Sequence, residues 1–342
     1  MTEKQPEKIL IFELNWLGDI LFSFPLLKAL RWSFPEAYIS CAVVPRYADL
    51  LANNPWISDI HILSDDNGLC SIGEKMAFTR LIAGEKYDTC ILLKPSSSKA
   101  SIAALAGIPR RIGFSGKRSN LTTEVEPPSG IVHRADQLLA LGGALGIHFA
   151  DGTYEYFVNE EYEEKASALL HRMARGGGRL VVFNTGGNWG PKRWPPEYFI
   201  RLAGMLLERF SDIEIVLPGA AKDLKTAQSI IAETGQMRCY TVAGRTDLGE
   251  LAALFKLSSL VVSADSGPMH LASAVGTPLV ALFGPTSHAL TGPRGRNVAS
   301  IIQSDIKCPI PCYEKECSLG HECMRSITPE RVFAEAERML AQ

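Results

Sequence analysis

Leu260-Val261-Val262-Ser263-Ala264-Asp265-Ser266-Gly267-Pro268-Met269-His270 is the stretch that decides the fold. Residues 260–263 form a short apolar, β-leaning run. Asp265 and Ser266 supply turn chemistry, and a helix follows over 269–275. A further apolar run at 279–283 follows that helix. The same alternation extends toward the N-terminus. The second half reads as strands at 179–184, 213–217 and 239–242, with helices at 198–210, 223–234 and 248–256. The first half reads as strands at 8–14, 37–44, 57–63, 87–93 and 111–114, with helices at 18–32, 47–53, 75–84, 99–106 and 133–145. Strands alternating with helices predict α/β domains with parallel sheets covered on both faces. A charged amphipathic helix at 160–174 runs into Gly176-Gly177-Gly178, a hinge or a helix end. The expected domains are 1–159 and 160–342. Thr328 and Pro329 have the N-cap and N1 chemistry of a final helix.

At 342 residues, and roughly 150 per domain, the length also suggests two domains. With 46% hydrophobic and 21% charged residues, each half can build a core and is not disordered. The net charge of −2 sets nucleic-acid binding behind other readings. The opening residues show no signal peptide, so the expected location is the cytoplasm. Residues 266–293 lack Asp, Glu, Lys and Arg, but Pro268, Gly276, Pro278, Gly284, Pro285 and Gly292 break them. They read as strand, turn and helix, not as a membrane span. No transmembrane segment is expected.

In parallel α/β sheets, ligands bind beyond the carboxyl ends of the strands, and two such domains would share a cleft. The polar residues after the strands are therefore the candidates. Asn15-Trp16-Leu17-Gly18-Asp19 follows the first strand. Asp19 is either a helix cap or a carboxylate acting as general base. Only one glycine is present, so this is no dinucleotide fingerprint. Asn184-Thr185-Gly186-Gly187 leads to Pro191-Lys192-Arg193-Trp194-Pro195. Its glycines expose N–H groups, and Thr185 and Lys192 suit phosphate oxygens, although the loop is not a Walker A sequence. The helix after Ser266 offers free N–H groups to a diphosphate, and His270 can point back at the same ligand. Taken singly, Asp265 or Ser266 reads as a cap and His270 as a core histidine; together they favour a ligand site. The turn Phe283-Gly284-Pro285-Thr286 should lie beside it. Lys222 and Asp223 follow the strand at 213–217 and suit a ribose, a base or a plain loop. Between residues 94 and 118 stand Lys94, Lys99, Arg110, Arg111, Lys117 and Arg118 with no acid, a local basic surface or an ordinary solvated face. Cys308, Cys312, Cys317 and Cys323 surround His321 at spacings unlike zinc modules. A metal, disulfides and free thiols all stay open. No Asp-x-Asp triplet occurs, which favours charge neutralisation by Lys192 and helix N-termini over a metal.

Asn-Trp-Leu-Gly-Asp at 15–19, Pro-Lys-Arg-Trp-Pro at 191–195, Ala-Lys-Asp at 221–223, Asp-Ser-Gly-Pro-Met-His at 265–270 and Pro-Leu-Val-Ala-Leu-Phe-Gly-Pro-Thr at 278–286 resemble the heptosyltransferase family, glycosyltransferase family 9, over nearly the whole chain. The resemblance implies a GT-B fold: two Rossmann-like domains facing a central cleft, the acceptor on 1–159 and the nucleotide sugar on 160–342. It implies inverting transfer of heptose from ADP-heptose to the lipopolysaccharide inner core without a bound metal or cofactor. Asp19 would be the base, and Lys192 would pair with the diphosphate. Asp265, Ser266, Gly267 and His270 would hold phosphates and heptose, and Thr185, Gly186 and Gly187 would line the same pocket. Lys222 and Asp223 would lie near adenosine; Lys94 and Ser97 would face an anionic glycolipid at the inner face of the cytoplasmic membrane. The chain departs from the family at Asn184-Thr185, where Pro-Gly is frequent. Alternatives are another acceptor or sugar nucleotide, or a non-catalytic nucleotide-sugar-binding protein. A dehydrogenase lacks its fingerprint.

Overall fold

The computed structural model describes residues 5–64, 69–116, 120–149, 151–173 and 177–341. Lys117 and Arg118 of the basic stretch, Ala174 of the expected helix and Gly176 of the glycine run lie outside the described residues. The chain divides into two compact units, Met1–Tyr154 and Glu155–Gln342.

In the first unit, β1 (Lys8–Phe12), β2 (Tyr38–Val43), β3 (Asp59–Ile62), β4 (Thr89–Leu92), β5 (Arg110–Phe114) and β6 (Thr123–Val125) form one sheet in the order β3-β2-β1-β4-β5-β6. Every neighbouring pair is parallel. The second unit repeats this topology with β7 (Arg179–Asn184), β8 (Ile213–Leu217), β9 (Cys239–Thr241), β10 (Leu260–Ala264), β11 (Leu279–Phe283) and β12 (Ala299–Gln303), ordered β12-β11-β10-β7-β8-β9 and again parallel. These are two doubly wound Rossmann-like sheets, as the alternation of elements predicts. Strand order reverses between β1 and β4 and between β7 and β10. Those switch points open crevices at the carboxyl ends of the strands.

The central strands are apolar because helices cover both faces of each sheet. Every residue of β8, β10 and β11 is buried. The edge strands β6 and β12 escape the sequence reading. Three residues of β6 carry no apolar run, and β12 is only partly buried, so neither needs the composition that reveals a central strand. The expected helix at 133–145 is an α-helix, Arg134–Leu139, continued by a 3-10 segment, Ala140–Leu145. Thr328 caps the last helix through Arg331 N–H, with Pro329 at its first position. Among the described residues no helix is long and apolar enough to cross a membrane.

Trp194 anchors the core of the second unit. It is 2% exposed, meets Phe199 edge-on at 4.7 Å, and donates its indole N–H to Ile327 O at 2.8 Å. The indole therefore ties the loop after β7 to the start of the last helix. Trp194→Ala is expected to lower stability by about 3–5 kcal/mol in urea titrations. A loss below about 1 kcal/mol, the range of an ordinary surface substitution, would contradict that anchoring role.

Candidate active site

The β7–β10 switch point gathers residues from the loops after β7, β10 and β11 onto one carboxylate. Asp265 follows β10 and is buried. Its Oδ2 accepts from Lys192 Nζ at 2.7 Å and from Thr286 Oγ1 at 2.7 Å. His270 Nε2 stands 3.6 Å from Oδ1. Burial alone would push this carboxyl up. The His270 imidazole and the Lys192 ammonium outweigh burial and hold it well below the usual carboxylate range. Asp265 is therefore a fixed anion that orients a cation at the mouth of the crevice.

Ser266, not Asp265, caps the helix Gly267–Ala274, accepting from Met269 N–H at 3.4 Å. Pro268 occupies the second helical position, where its missing N–H costs nothing. Asn184 is buried and donates from Nδ2 to Ser263 Oγ at 2.7 Å and Ser266 Oγ at 3.0 Å. The departure from the family at 184 thus clamps the end of β7 to the end of β10. Next to it, Thr185 Oγ1 is buried without a hydrogen-bond partner. An orphaned hydroxyl beside a helix N-terminus is a ready donor to a phosphate oxygen.

Lys192 closes a 3-10 turn, Gly190–Lys192, and lies 5.6 Å over the Trp189 ring. A Cβ on Gly186 would stand 3.0 Å from Asp223 Oδ2, so a side chain there would press on the loop after β8. Asp223 itself accepts from Ala220 N–H at 3.0 Å. Gly187 O accepts from Arg193 Nε at 2.9 Å, and Lys222 Nζ donates to Asn188 Oδ1 at 2.6 Å. Thr185, Gly186, Gly187, Lys192, Lys222, Asp223, Asp265, Ser266, Gly267 and His270 therefore share the carboxyl edge of one sheet. Sequence reading places the 283–286 turn beside Asp265 but does not foresee the Thr286 hydrogen bond. It arises because β11 neighbours β10.

Asp19, Lys94 and Ser97 belong to the first unit and follow its switch-point strands β1 and β4. Trp16 is the N-cap of the helix Leu17–Ser33, and Asp19 stands in its first turn, half-buried. The cap reading of Asp19 gives way, because an extended Trp16 already starts the helix. Lys94 and Ser97 are exposed, and Ser96 caps the helix Ser97–Leu105 through Lys99 N–H. The basic stretch is not one uniform charged surface. Arg110 Nη2 donates to Ala144 O at 2.5 Å, Arg111 Nε to Asn120 O at 2.6 Å and Lys99 Nζ to Glu13 O at 2.7 Å. Glu13, which the sequence reading passes over inside its first strand, is a buried carboxyl beside that lysine. Its visible signal is an acid ending an apolar run.

Cys308, Cys312, Cys317 and Cys323 are free thiols lining one cavity with His321, Pro191 and Pro285. Cys312 N–H donates to Pro285 O at 2.7 Å, and Tyr313 lies 6.5 Å from the Trp189 ring. The segment packs against the loops that carry Lys192 and Thr286. Among the described residues no three His, Cys, Asp or Glu side chains are arranged to hold a metal ion.

Two Rossmann-like sheets, with a lysine–aspartate pair and a capped helix N-terminus at the second switch point, define the class as a GT-B glycosyltransferase. The chain belongs to glycosyltransferase family 9 (heptosyltransferase), whose sequence model matches residues 76–322. Lipooligosaccharide heptosyltransferase 2 of Haemophilus ducreyi is 30% identical over 98% of this chain and 99% of its own length. Lipopolysaccharide heptosyltransferase 2 of Escherichia coli is 29% identical at the same coverage. The solved structure of E. coli ADP-heptose LPS heptosyltransferase II superposes with a TM-score of 0.81 at 26% identity, covering 98% of this chain and 99% of that one.

Proposed function

We propose that this glycosyltransferase moves heptose from ADP-heptose to the inner core of lipopolysaccharide, inverting the anomeric centre. The observation that carries the donor side is the Asp265–Lys192 pair beside the Ser266-capped helix. The Lys192 ammonium has three hydrogens, and its bond to Asp265 uses one. The remaining donor capacity, the helix N-terminus and the Thr185 hydroxyl suit a diphosphate. His270, Ser266 and Gly267 sit where phosphate and heptose would lie. Lys222 and Asp223, beyond Gly186, suit the adenosine side. Asp19, Lys94 and Ser97 form the acceptor side. The acceptor is an anionic glycolipid, so the enzyme works peripherally on the inner face of the cytoplasmic membrane.

In the reaction an acceptor hydroxyl oxygen bonds to the anomeric carbon while the bond to the diphosphate oxygen breaks. Asp19 takes the hydroxyl proton as general base. ADP leaves from the opposite face, and Lys192 with the Gly267–Ala274 helix N-terminus stabilises its growing charge.

A panel of nucleotide sugars tests the donor. At about 100 times its Kd, ADP-heptose is expected to add about 2.7 kcal/mol of stability, seen as a raised Tm. A shift with a UDP- or GDP-sugar and none with ADP-heptose would overturn the donor assignment.

A further inference from the structure

The turn after β11 carries a side chain to which the transfer step above gives no role. Thr286 is buried, and its Oγ1 donates to Asp265 Oδ2 at 2.7 Å. The same oxygen accepts from Lys192 Nζ at 2.7 Å. A hydroxyl has one hydrogen. Thr286 gives it to the carboxylate and has none left for a phosphate oxygen, so its effect on a diphosphate runs through Asp265. The two strands hold these partners in register: Ala264 pairs with Leu282, and Asp265 N–H donates to Leu282 O at 3.1 Å. The Asp265 backbone is thus tied to β11, and the turn that follows β11 returns Thr286 to the Asp265 side chain.

A lysine ammonium rides on a flexible four-carbon stem, so its place is set by what it bonds. Asp265 sets it here, and the carboxylate can itself rotate unless a second donor holds it. Lys192 and Thr286 approach one oxygen from two different loops, and rotation of the carboxylate breaks both bonds.

The turn that carries Thr286 is held in its own right. Gln303 ends β12 and pairs with Phe283 in the ladder. Its Nε2 lies 2.9 Å from Phe283 O, 3.3 Å from Gly284 O and 3.1 Å from Thr286 O. Three carbonyl oxygens around one atom require a donor there, so the amide nitrogen faces the turn. The chain of contacts then runs from Gln303 through the 283–286 turn to the Thr286 hydroxyl, the Asp265 carboxylate and the Lys192 ammonium.

We propose that Thr286 and Gln303 are positioning residues of the donor side: the Thr286 hydroxyl fixes the Asp265 carboxylate that places Lys192, and the Gln303 amide fixes the turn that presents the hydroxyl. The inference rests on reading Lys192 as the diphosphate ligand.

The test is a double-mutant cycle of Thr286→Val and Lys192→Ala in the full chain, read by ADP Kd and by donor and acceptor KM. Valine keeps the branched shape and removes the hydroxyl. Thr286→Val is expected to raise ADP Kd and donor KM roughly fivefold, the size of one net hydrogen bond, and to leave acceptor KM within about twofold. In the Lys192→Ala background the same substitution should change ADP Kd by less than about twofold, because the group it places is gone. Thr286→Ser restores the hydroxyl and should return ADP Kd to within about twofold of wild type. Gln303→Leu should raise ADP Kd about two- to fivefold and add nothing to Thr286→Val. An unchanged ADP Kd in Thr286→Val or in Gln303→Leu overturns the proposal. So does an equal effect of Thr286→Val in both backgrounds, or a serine variant as weak as the valine one.

Urea unfolding of the same four proteins without nucleotide reads the contact chain apart from binding. Thr286→Val and Lys192→Ala share the Asp265 carboxylate, so their stability losses should be non-additive by about 0.5 kcal/mol or more. Additive losses overturn the proposal. Unchanged ADP Kd in Lys192→Ala with non-additive unfolding fails the diphosphate reading instead and leaves the positioning of Lys192 by Thr286 standing.

Discussion

Asp19→Ala is expected to reduce kcat about 10²–10⁴-fold, the usual contribution of a positioned general base. ADP affinity should stay at the wild-type value, because in the proposed reaction Asp19 acts on the acceptor hydroxyl and not on the diphosphate. Asp19 is half-buried in the first turn of Leu17–Ser33, where an acid interacts favourably with the helix dipole by about 0.3–1 kcal/mol. The Tm of Asp19→Ala, measured alongside, separates a loss of folded protein from the loss of the base. Asp19→Asn keeps the shape and loses the base, so its kcat should fall as far. Transfer within tenfold of wild type in either variant would remove Asp19 from the role.

Lys192→Ala is expected to raise donor KM and ADP Kd together by about 10–100-fold, since a hydrogen bond from a charged donor is worth about 1.5–3 kcal/mol. Acceptor KM should not move. The substitution also leaves buried Asp265 with Thr286 and His270 but without its ammonium partner, so some loss of Tm accompanies it. The pH dependence separates the two effects. The Asp265 carboxyl is depressed in the folded protein, so its contribution is present above the unfolded value of 3.8 and lost only as pH falls below it. Wild-type donor binding should therefore show no Asp265 ionisation in the neutral range. Unchanged ADP binding in Lys192→Ala would contradict the diphosphate role.

The parts of this molecule that the sequence reveals are those whose composition has one physical cause. Leu260–Ala264 and Leu279–Phe283 are apolar because both faces are covered, and the polar residues after them mark the crevice. Asp265, Ser266 and His270 are legible for that reason, and Lys192 because its loop follows β7. Thr123–Val125 and Ala299–Gln303 sit at sheet edges, where no such composition is required. The Thr286–Asp265 bond spans 21 residues and the Lys99–Glu13 bond spans 86, so each depends on strand order and not on spacing. Glu13 is hidden for a related reason. It continues an apolar strand, and only the packing of Ser23, Cys41 and Lys99 around it shows why an acid is tolerated there. The cysteine segment is legible in position, while its contact with the Lys192 and Thr286 loops needs the fold.

The most direct measurement is the product of wild-type enzyme incubated with ADP-heptose and a lipopolysaccharide inner-core acceptor, read by mass spectrometry and anomeric NMR. The account predicts one added heptosyl residue, release of ADP, and an anomeric configuration opposite to that of the donor. No heptosyl addition, or a product that retains the donor configuration, would contradict it.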